Sequence, residues 1–291
     1  MKNPRLLAIL SAMVAVTGLA TPVAFAAELS DNVPDRTQIA IINPDGSVQE
    51  SDNAEESRLA LSLAKLYLGY FVLGNGTPED AELVPDMIRY SDDFTADYLE
   101  SQYPEAIPEV IEAFDLEDTE WAGFWGNATT SAVDIATFVS EIIEDPIAQP
   151  LLEAMSEPAE YASDGYAQNF GTFTLSDVSG TKFGWSDDLD VHSSVSFGPG
   201  FVIAANTMGD AETHTQDVQE SVSSLYPEEV TAAIEEQVTY LVESQATVPH
   251  LGMHTGAELK EQLKGTRYGN SLNLLPNSAP VPAFLYNLLA R

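Results

Sequence analysis

The chain has 291 residues, no cysteine, and 46 acidic against 11 basic side chains, for a formal net charge of −35 at pH 7. A surface this acidic repels nucleic acid and anionic lipid, so neither is expected as a partner. Without cysteine there is neither a disulfide framework nor a lipobox-type acyl anchor, and a domain of about 265 residues must rely on its own hydrophobic core.

In chain order, residues 1–26 come first as a secretory signal peptide. Lys2 and Arg5 precede an apolar run from Leu6 to Leu19, and Ala24-Phe25-Ala26 supplies a small-x-small cleavage pattern. The run is short for a span and no second one follows, so the mature form is expected to be exported and to lack a transmembrane span. Residues 27–245 read as one domain. Gln38–Ile42 is a strand, Asn43-Pro44-Asp45-Gly46 a turn and Ser47–Gln49 the start of a return strand. Glu55–Leu73 reads as a helix ended by Gly74-Asn75-Gly76, and Thr77-Pro78 caps the next one, which runs to about Tyr90. Helical stretches follow from Asp92 and from Pro104, then a loop over Leu116–Gly126 with Trp121, Phe124 and Trp125. Thr129 and Thr130 are placed at the cap of a helix containing Ile135, Val139 and Ile142.

Past Tyr166 the period changes to that of strands. Ser176–Trp185, Asp190–Phe197 and Phe201–Thr207 are expected to form an antiparallel meander. Glu228–Glu243 reads as an amphipathic final helix. Strands at both ends of the domain with helices between them predict an α+β fold, one antiparallel sheet flanked by helices. Residues 246–291 form a C-terminal extension of different composition. It holds Lys260, Lys264, Arg267 and Arg291 and a terminal run with Phe284, Leu285, Tyr286, Leu288 and Leu289. Opposite in charge to the body, it is expected to dock onto the body itself or onto a cell-envelope protein partner.

The body's own cations are few: Arg36, Arg58, Lys65, Arg89 and Lys182. Its two lysines both fall in short motifs. Lys65 closes Ser62-Leu63-Ala64-Lys65, Lys182 opens Lys182-Phe183-Gly184, and Ser91-Asp92-Asp93 lies between them. Ser-x-x-Lys, a Ser-Asp-Asn-like triplet and a Lys-Thr-Gly-like triplet in this order resemble the serine β-lactamases and penicillin-binding proteins of the transpeptidase-like superfamily. The likeness covers about residues 38–245. It includes Trp125-Gly126-Asn127-Ala128-Thr129-Thr130, similar to the segment that closes the omega loop in class A enzymes.

What the resemblance implies is chemically specific. One helical turn would bring the Lys65 amine to the Ser62 hydroxyl, a weak nucleophile until a base takes its proton. Ser91 would relay that proton to the leaving nitrogen. Lys182 would present positive charge to a substrate carboxylate. The backbone N–H groups of Ser62 and Trp185, beside Gly184, would form the oxyanion hole. The fold implied has a reduced helical subdomain, because the interval from Ser62 to Ser91 is much shorter than in class A enzymes.

Three departures bear on activity. Asp93 stands where the superfamily has an asparagine that binds substrate, Phe183 replaces a threonine or serine, and no glutamate has the context of the class A deacylating residue, although Glu112, Glu117 and Glu120 lie nearby. The expectation is therefore an exported serine hydrolase that acts through a Ser62 acyl-enzyme on a small-molecule or peptide substrate, a carboxylate-bearing amide or ester such as a peptidoglycan-type peptide, and turns over β-lactams poorly. The alternative is a domain of the same fold with a degraded site, serving as an envelope accessory or binding protein. No cofactor and no metal are implied: the acidic loops lack EF-hand spacing, and His250 and His254 flank a segment containing Gly252 just after Pro249.

Overall fold

The structure, a computed structural model, describes residues 28–43, 46–224, 253–255 and 280–282. The signal peptide, the expected helix over 228–243 and the apolar run over 284–289 lie outside the described residues.

The strands are β1 (Glu28–Leu29), β2 (Thr37–Ile42), β3 (Val48–Glu50), β4 (Arg58–Leu59), β5 (Thr129–Thr130), β6 (Gly180–Trp185), β7 (His192–Gly198), β8 (Phe201–Thr207), β9 (Val222–Ser224), β10 (Met253–Thr255) and β11 (Pro280–Pro282). The helices are α1 (Ala64–Asn75), α2 (Pro78–Ala81), α3 (Val84–Arg89), α4 (Asp93–Gln102), α5 (Ala106–Ala113), α6 (Ala132–Ile142), α7 (Gln149–Ser156) and α8 (Ala211–Ser221). Five strands pair antiparallel in the order β3-β2-β8-β7-β6. Strands from both ends of the domain thus meet in one sheet, with the helices inserted between them, and the α+β plan holds.

The register explains the side-chain sorting. Ala40, Ala204, Val195 and Lys182 stand opposite one another across β2, β8, β7 and β6, and so share a face. That face packs on α1 and α6 in the larger core, with Leu66, Tyr67, Phe138 and Val139. The next row, Ile41, Ile203, Ser196 and Thr181, points to the other face, where Ile39, Ile41, Phe201, Ile203 and Val218 of α8 form a second core. Because both faces are covered, β2 is buried along its whole length.

Several boundaries differ from those expected. No helix runs through Glu55–Ala60. Leu61 has φ 55°, a left-handed backbone that a regular helix excludes, so a short 3-10 turn over Leu61–Leu63 leads into α1 instead. Arg58 is buried by donating to the carbonyls of Arg36 and Asp35 and to Glu56, which pins the segment as β4. The strand expected from Ser176 starts at Gly180, because Asp177 has φ 62° and the chain before it forms a 3-10 turn over Gly171–Thr174. The cap of α6 is Ser131, whose hydroxyl accepts from the Asp134 N–H, while Thr129 and Thr130 pair as β5 with β4. Sequence reading also missed α8. Its buried face is His214, Asp217, Val218 and Ser221, too polar to show an apolar period, and its one sequence signal was the N-cap Asp210.

Candidate active site

Ser62 reaches its position because β4 pairs with β5 and the left-handed Leu61 then turns the chain into α1. Strand β6 runs alongside. A methyl group on Gly184 would stand 2.9 Å from Leu61 Cβ and 3.2 Å from the Ser62 amide nitrogen, and would collide with Ser193 Oγ. Glycine is therefore required at 184 for the Leu61–Ser62 turn to approach the sheet.

Within this junction the Lys65 Nζ lies 2.7 Å from Ser62 Oγ and 2.6 Å from Asp93 Oδ1. Lys65 is fully buried, whereas the Asp93 side chain is 63% exposed at the cleft mouth. The Lys65 ammonium sits 4.0 Å above the Trp125 ring, a cation–π contact, and the indole N–H of Trp125 donates to Asp97 on α4 at 2.8 Å. Loss of hydration pushes the Lys65 pKa down. Asp93 first, then Asp92 and Asp164, push it up, and the desolvation prevails.

Ser91 follows the end of α3 with φ 51°, a conformation costly for a residue with a Cβ. The segment over residues 159–168 braces this turn. Ala159 N–H and Gln168 Nε2 donate to the Arg89 carbonyl, and Ser163 N–H donates to that of Tyr90. Ser91 Oγ then accepts from Lys182 Nζ at 2.8 Å, and the same ammonium donates to the Phe183 carbonyl at 3.0 Å. Lys182 is completely buried. Its pKa is driven well down, first by burial and then by repulsion from Lys65.

Phe183 turns to the opposite sheet face. There its ring packs edge-on to Phe170 at 5.1 Å and is buried. The side chain at 183 thus packs with Phe170 and Phe173 and presents no hydroxyl on the Lys182 face. Trp185 stacks on Tyr166 at 4.9 Å, and its indole donates to Asp164 at 3.0 Å.

Ser62, Lys65 and Asp93 therefore converge through direct contacts, Lys182 joins Ser91, and Gly184 borders the Ser62 amide. The carboxylates that act on Lys65 are Asp93, Asp92 and Asp164. Glu112, Glu117 and Glu120 are not among them. Two contributors were missed in the sequence. The sequence places Trp125 in a loop with no sign of its contact with Lys65, and the 159–168 brace carries no motif. Among the described residues no cluster of three or more His, Cys, Asp or Glu side chains is arranged to hold a metal ion, and no helix is long and apolar enough to cross a membrane.

No protein-family profile matches the sequence, and no curated protein matches it in sequence. Solved structures do match in shape. The β-lactamase from Sphaerobacter thermophilus has a TM-score of 0.52 at 15% identity, covering 62% of this chain and 87% of that one. A halotolerant bacterial β-lactamase has a TM-score of 0.53 at 13% identity, covering 65% and 94%. An ancestral class A β-lactamase has a TM-score of 0.50 at 16% identity, covering 64% and 91%. Antiparallel sheet, inserted helices and these three likenesses lead to one conclusion: the chain has the serine β-lactamase/penicillin-binding-protein fold, in a sequence that has diverged far from those with which it shares it.

Proposed function

We propose that this protein is an exported serine hydrolase that acts on an amide or ester through a Ser62 acyl-enzyme, with slow deacylation. The observation that carries this reading is the 2.7 Å approach of Lys65 Nζ to Ser62 Oγ, made by a lysine whose pKa burial has lowered. A neutral amine at that distance takes the hydroxyl proton as Ser62 Oγ bonds to the substrate carbonyl carbon. The carbonyl oxygen becomes an oxyanion facing the Ser62 and Trp185 backbone N–H groups. On collapse the carbon–nitrogen or carbon–oxygen bond breaks. The leaving atom takes the proton from Lys65 by way of Ser91, whose hydroxyl is oriented by Lys182. Water must then cleave the acyl–Ser62 ester, and among the described residues no glutamate contributes to the electrostatics at Lys65. The acyl-enzyme is therefore long-lived, and β-lactam turnover is negligible.

The substrate follows from the charges at the mouth. Phe183 supplies no hydroxyl to a carboxylate, burial drives the Lys182 pKa well down while its Nζ is engaged by Ser91 and Phe183, and Asp93 and Asp164 add negative charge near Lys65. A small molecule or peptide with a neutral or cationic group beside the scissile bond fits these charges better than one with a free carboxylate. A place in the cell envelope, with residues 246–291 docking on the body or on an envelope protein, agrees with the leader sequence and with the basic, apolar end of the chain.

A second reading, a binding domain with a retired site, is favoured by one observation. The Asp93 carboxylate lies 2.6 Å from Lys65, where it stabilises the ammonium and opposes its use as a base. One experiment decides between them. Incubation with a fluorescent penicillin and with uncharged acylating esters is followed by denaturation and mass analysis. An adduct on Ser62 that vanishes in Ser62→Ala supports the hydrolase. No adduct with any probe establishes the retired site.

A further inference from the structure

Gln38, Asn206, Ser193 and Gly184 stand opposite one another on β2, β8, β7 and β6. They form one row across the sheet, on the same face as Lys182. The stretch from Asn53 to Ser62 lies over this row. Gln38 Nε2 donates to the carbonyls of Asn53 at 2.7 Å and Glu56 at 2.6 Å, Asn206 Nδ2 donates to that of Leu59 at 3.2 Å, and Gly184 makes room for Leu61 and the Ser62 amide. The sheet thus holds the nucleophile's approach segment by its amide donors.

The acceptor oxygens of these two amides, and the neighbouring Ser193 hydroxyl, are left over. Gln38 Oε1, Asn206 Oδ1 and Ser193 Oγ are buried and have no hydrogen-bond partner among the described residues, and Arg58 Nε is likewise unpartnered. Gln38 and Ser193 have no exposure, Asn206 7% and Arg58 8%. Reversing either amide does not resolve this, because it would set an oxygen against the backbone carbonyls that now accept from the nitrogen. Each buried polar atom without a partner costs about 1–3 kcal/mol, so two amide oxygens and a hydroxyl in one row call for a ligand that can donate to them.

We propose that this row is a binding site for internal water. A file of water molecules bridges Gln38 Oε1, Asn206 Oδ1 and Ser193 Oγ and ends beside the backbone of Ser62. The Cα atoms of opposed residues in an antiparallel sheet stand roughly 4.5–5.5 Å apart, which brings neighbouring side chains of the row within reach of a bridging water. A metal cation is not favoured, since among the described residues no group of His, Cys, Asp or Glu side chains is arranged to hold one. Water donates to the two amide oxygens and can donate to or accept from the Ser193 hydroxyl. The outer end has a source. A surface hollow of about 670 Å³ is lined by Asp35, Asn53 and Glu56, the residues whose carbonyls hold Gln38 and Arg58. The site goes beyond the hydrolase reading and stands whether or not Ser62 reacts.

The test is magnetic relaxation dispersion of water oxygen-17 on the mature protein, alongside a high-resolution crystal structure. Ordered waters within hydrogen-bond distance of Gln38 Oε1, Asn206 Oδ1 and Ser193 Oγ are expected. Ser193→Ala should lose about one long-lived internal water from the relaxation amplitude, and Ser193→Thr should retain it. Asn206→Leu should lose more and also loosen the 53–62 segment in hydrogen exchange, through the lost bond to Leu59. Direct side-chain pairing of the three oxygens, an ion in their place, or an unchanged relaxation amplitude in Ser193→Ala overturns the site. Should the variants not fold, the wild-type crystal structure decides alone. None of these readouts depends on acylation, so failure here is separable from failure of the Ser62 reading.

Discussion

Lys65 is held between opposing influences, and the balance sets what the site can do. Burial favours the neutral amine, while Asp93 at 2.6 Å favours the ammonium. Asp93→Asn removes the charge and keeps the shape. The rising limb of acylation rate against pH should then move to lower pH, with faster labelling of Ser62 at neutral pH, read by stopped-time mass analysis. An unmoved limb would mean that Lys65 is not the base. Lys65→Met should lower acylation by about 10²–10⁴-fold, the usual span for a lost general base. At this scale much was legible. An i, i+3 spacing of serine and lysine at a helix start is a sequence property, and the three motifs occur in order. The Trp125 ring beneath Lys65 was not legible, because a cation–π contact between residues far apart in sequence leaves no local pattern.

Among the elements, α8 shows how polar packing escapes a periodicity search. Its buried His214 bridges Ser194 Oγ and Thr207 Oγ1, each at 2.8 Å, and burial pushes its pKa from 6.5 down to about 3. The unfolded chain therefore binds the extra proton between these values. The stabilisation that neutral His214 contributes is complete above about pH 6.5 and declines as the pH falls towards 3, by at most about 1.4 kcal/mol per pH unit for one group. His214→Asn should be less stable at pH 7 but show a shallower acid slope in urea midpoints over that range. An equal slope would mean that His214 does not govern it. The onset of α1 was illegible for a different reason. Leucine at 61 carries no propensity for the left-handed backbone, and tertiary contacts at β4 and Gly184 impose it. A second element-level prediction concerns the chain of hydroxyls from Tyr67 through Thr130 and Thr119 to Asp134, all buried. Tyr67→Phe leaves Thr130 short of one partner and should cost about 1 kcal/mol in chemical unfolding.

For the molecule as a whole, 46 carboxylates against 11 cations make long-range repulsion the dominant electrostatic fact. The screening length is about 30 Å at 0.01 M salt and about 8 Å at 0.15 M. Raising salt from the first to beyond the second should therefore raise the melting temperature by on the order of 5 °C, with about 2–4 °C for each kcal/mol. A melting temperature that is flat or falls with sodium chloride would contradict this. The same field acts on ligands. An acylating probe with a free carboxylate should label Ser62 more slowly than its neutral ester at low salt, with the gap narrowing as salt rises. The α+β plan was legible from the order of strands and helices, since strand-like stretches lie on both sides of the helical middle. The boundary at Ser176 was not, because Asp177 takes a turn conformation inside a stretch of strand-like residues.

The placement of the two lysines has a practical side. From the predicted cleavage site to residue 245 they are the only primary amines on side chains, and both are sealed inside the fold. An amine-selective acetylating reagent should therefore modify the native body at neither position, and its consumption there becomes a clock for opening. Each excursion that exposes the cleft adds a mass increment at Lys65, Lys182 or both. The ratio of the two increments tells whether the helical side and the sheet edge part company one at a time or together.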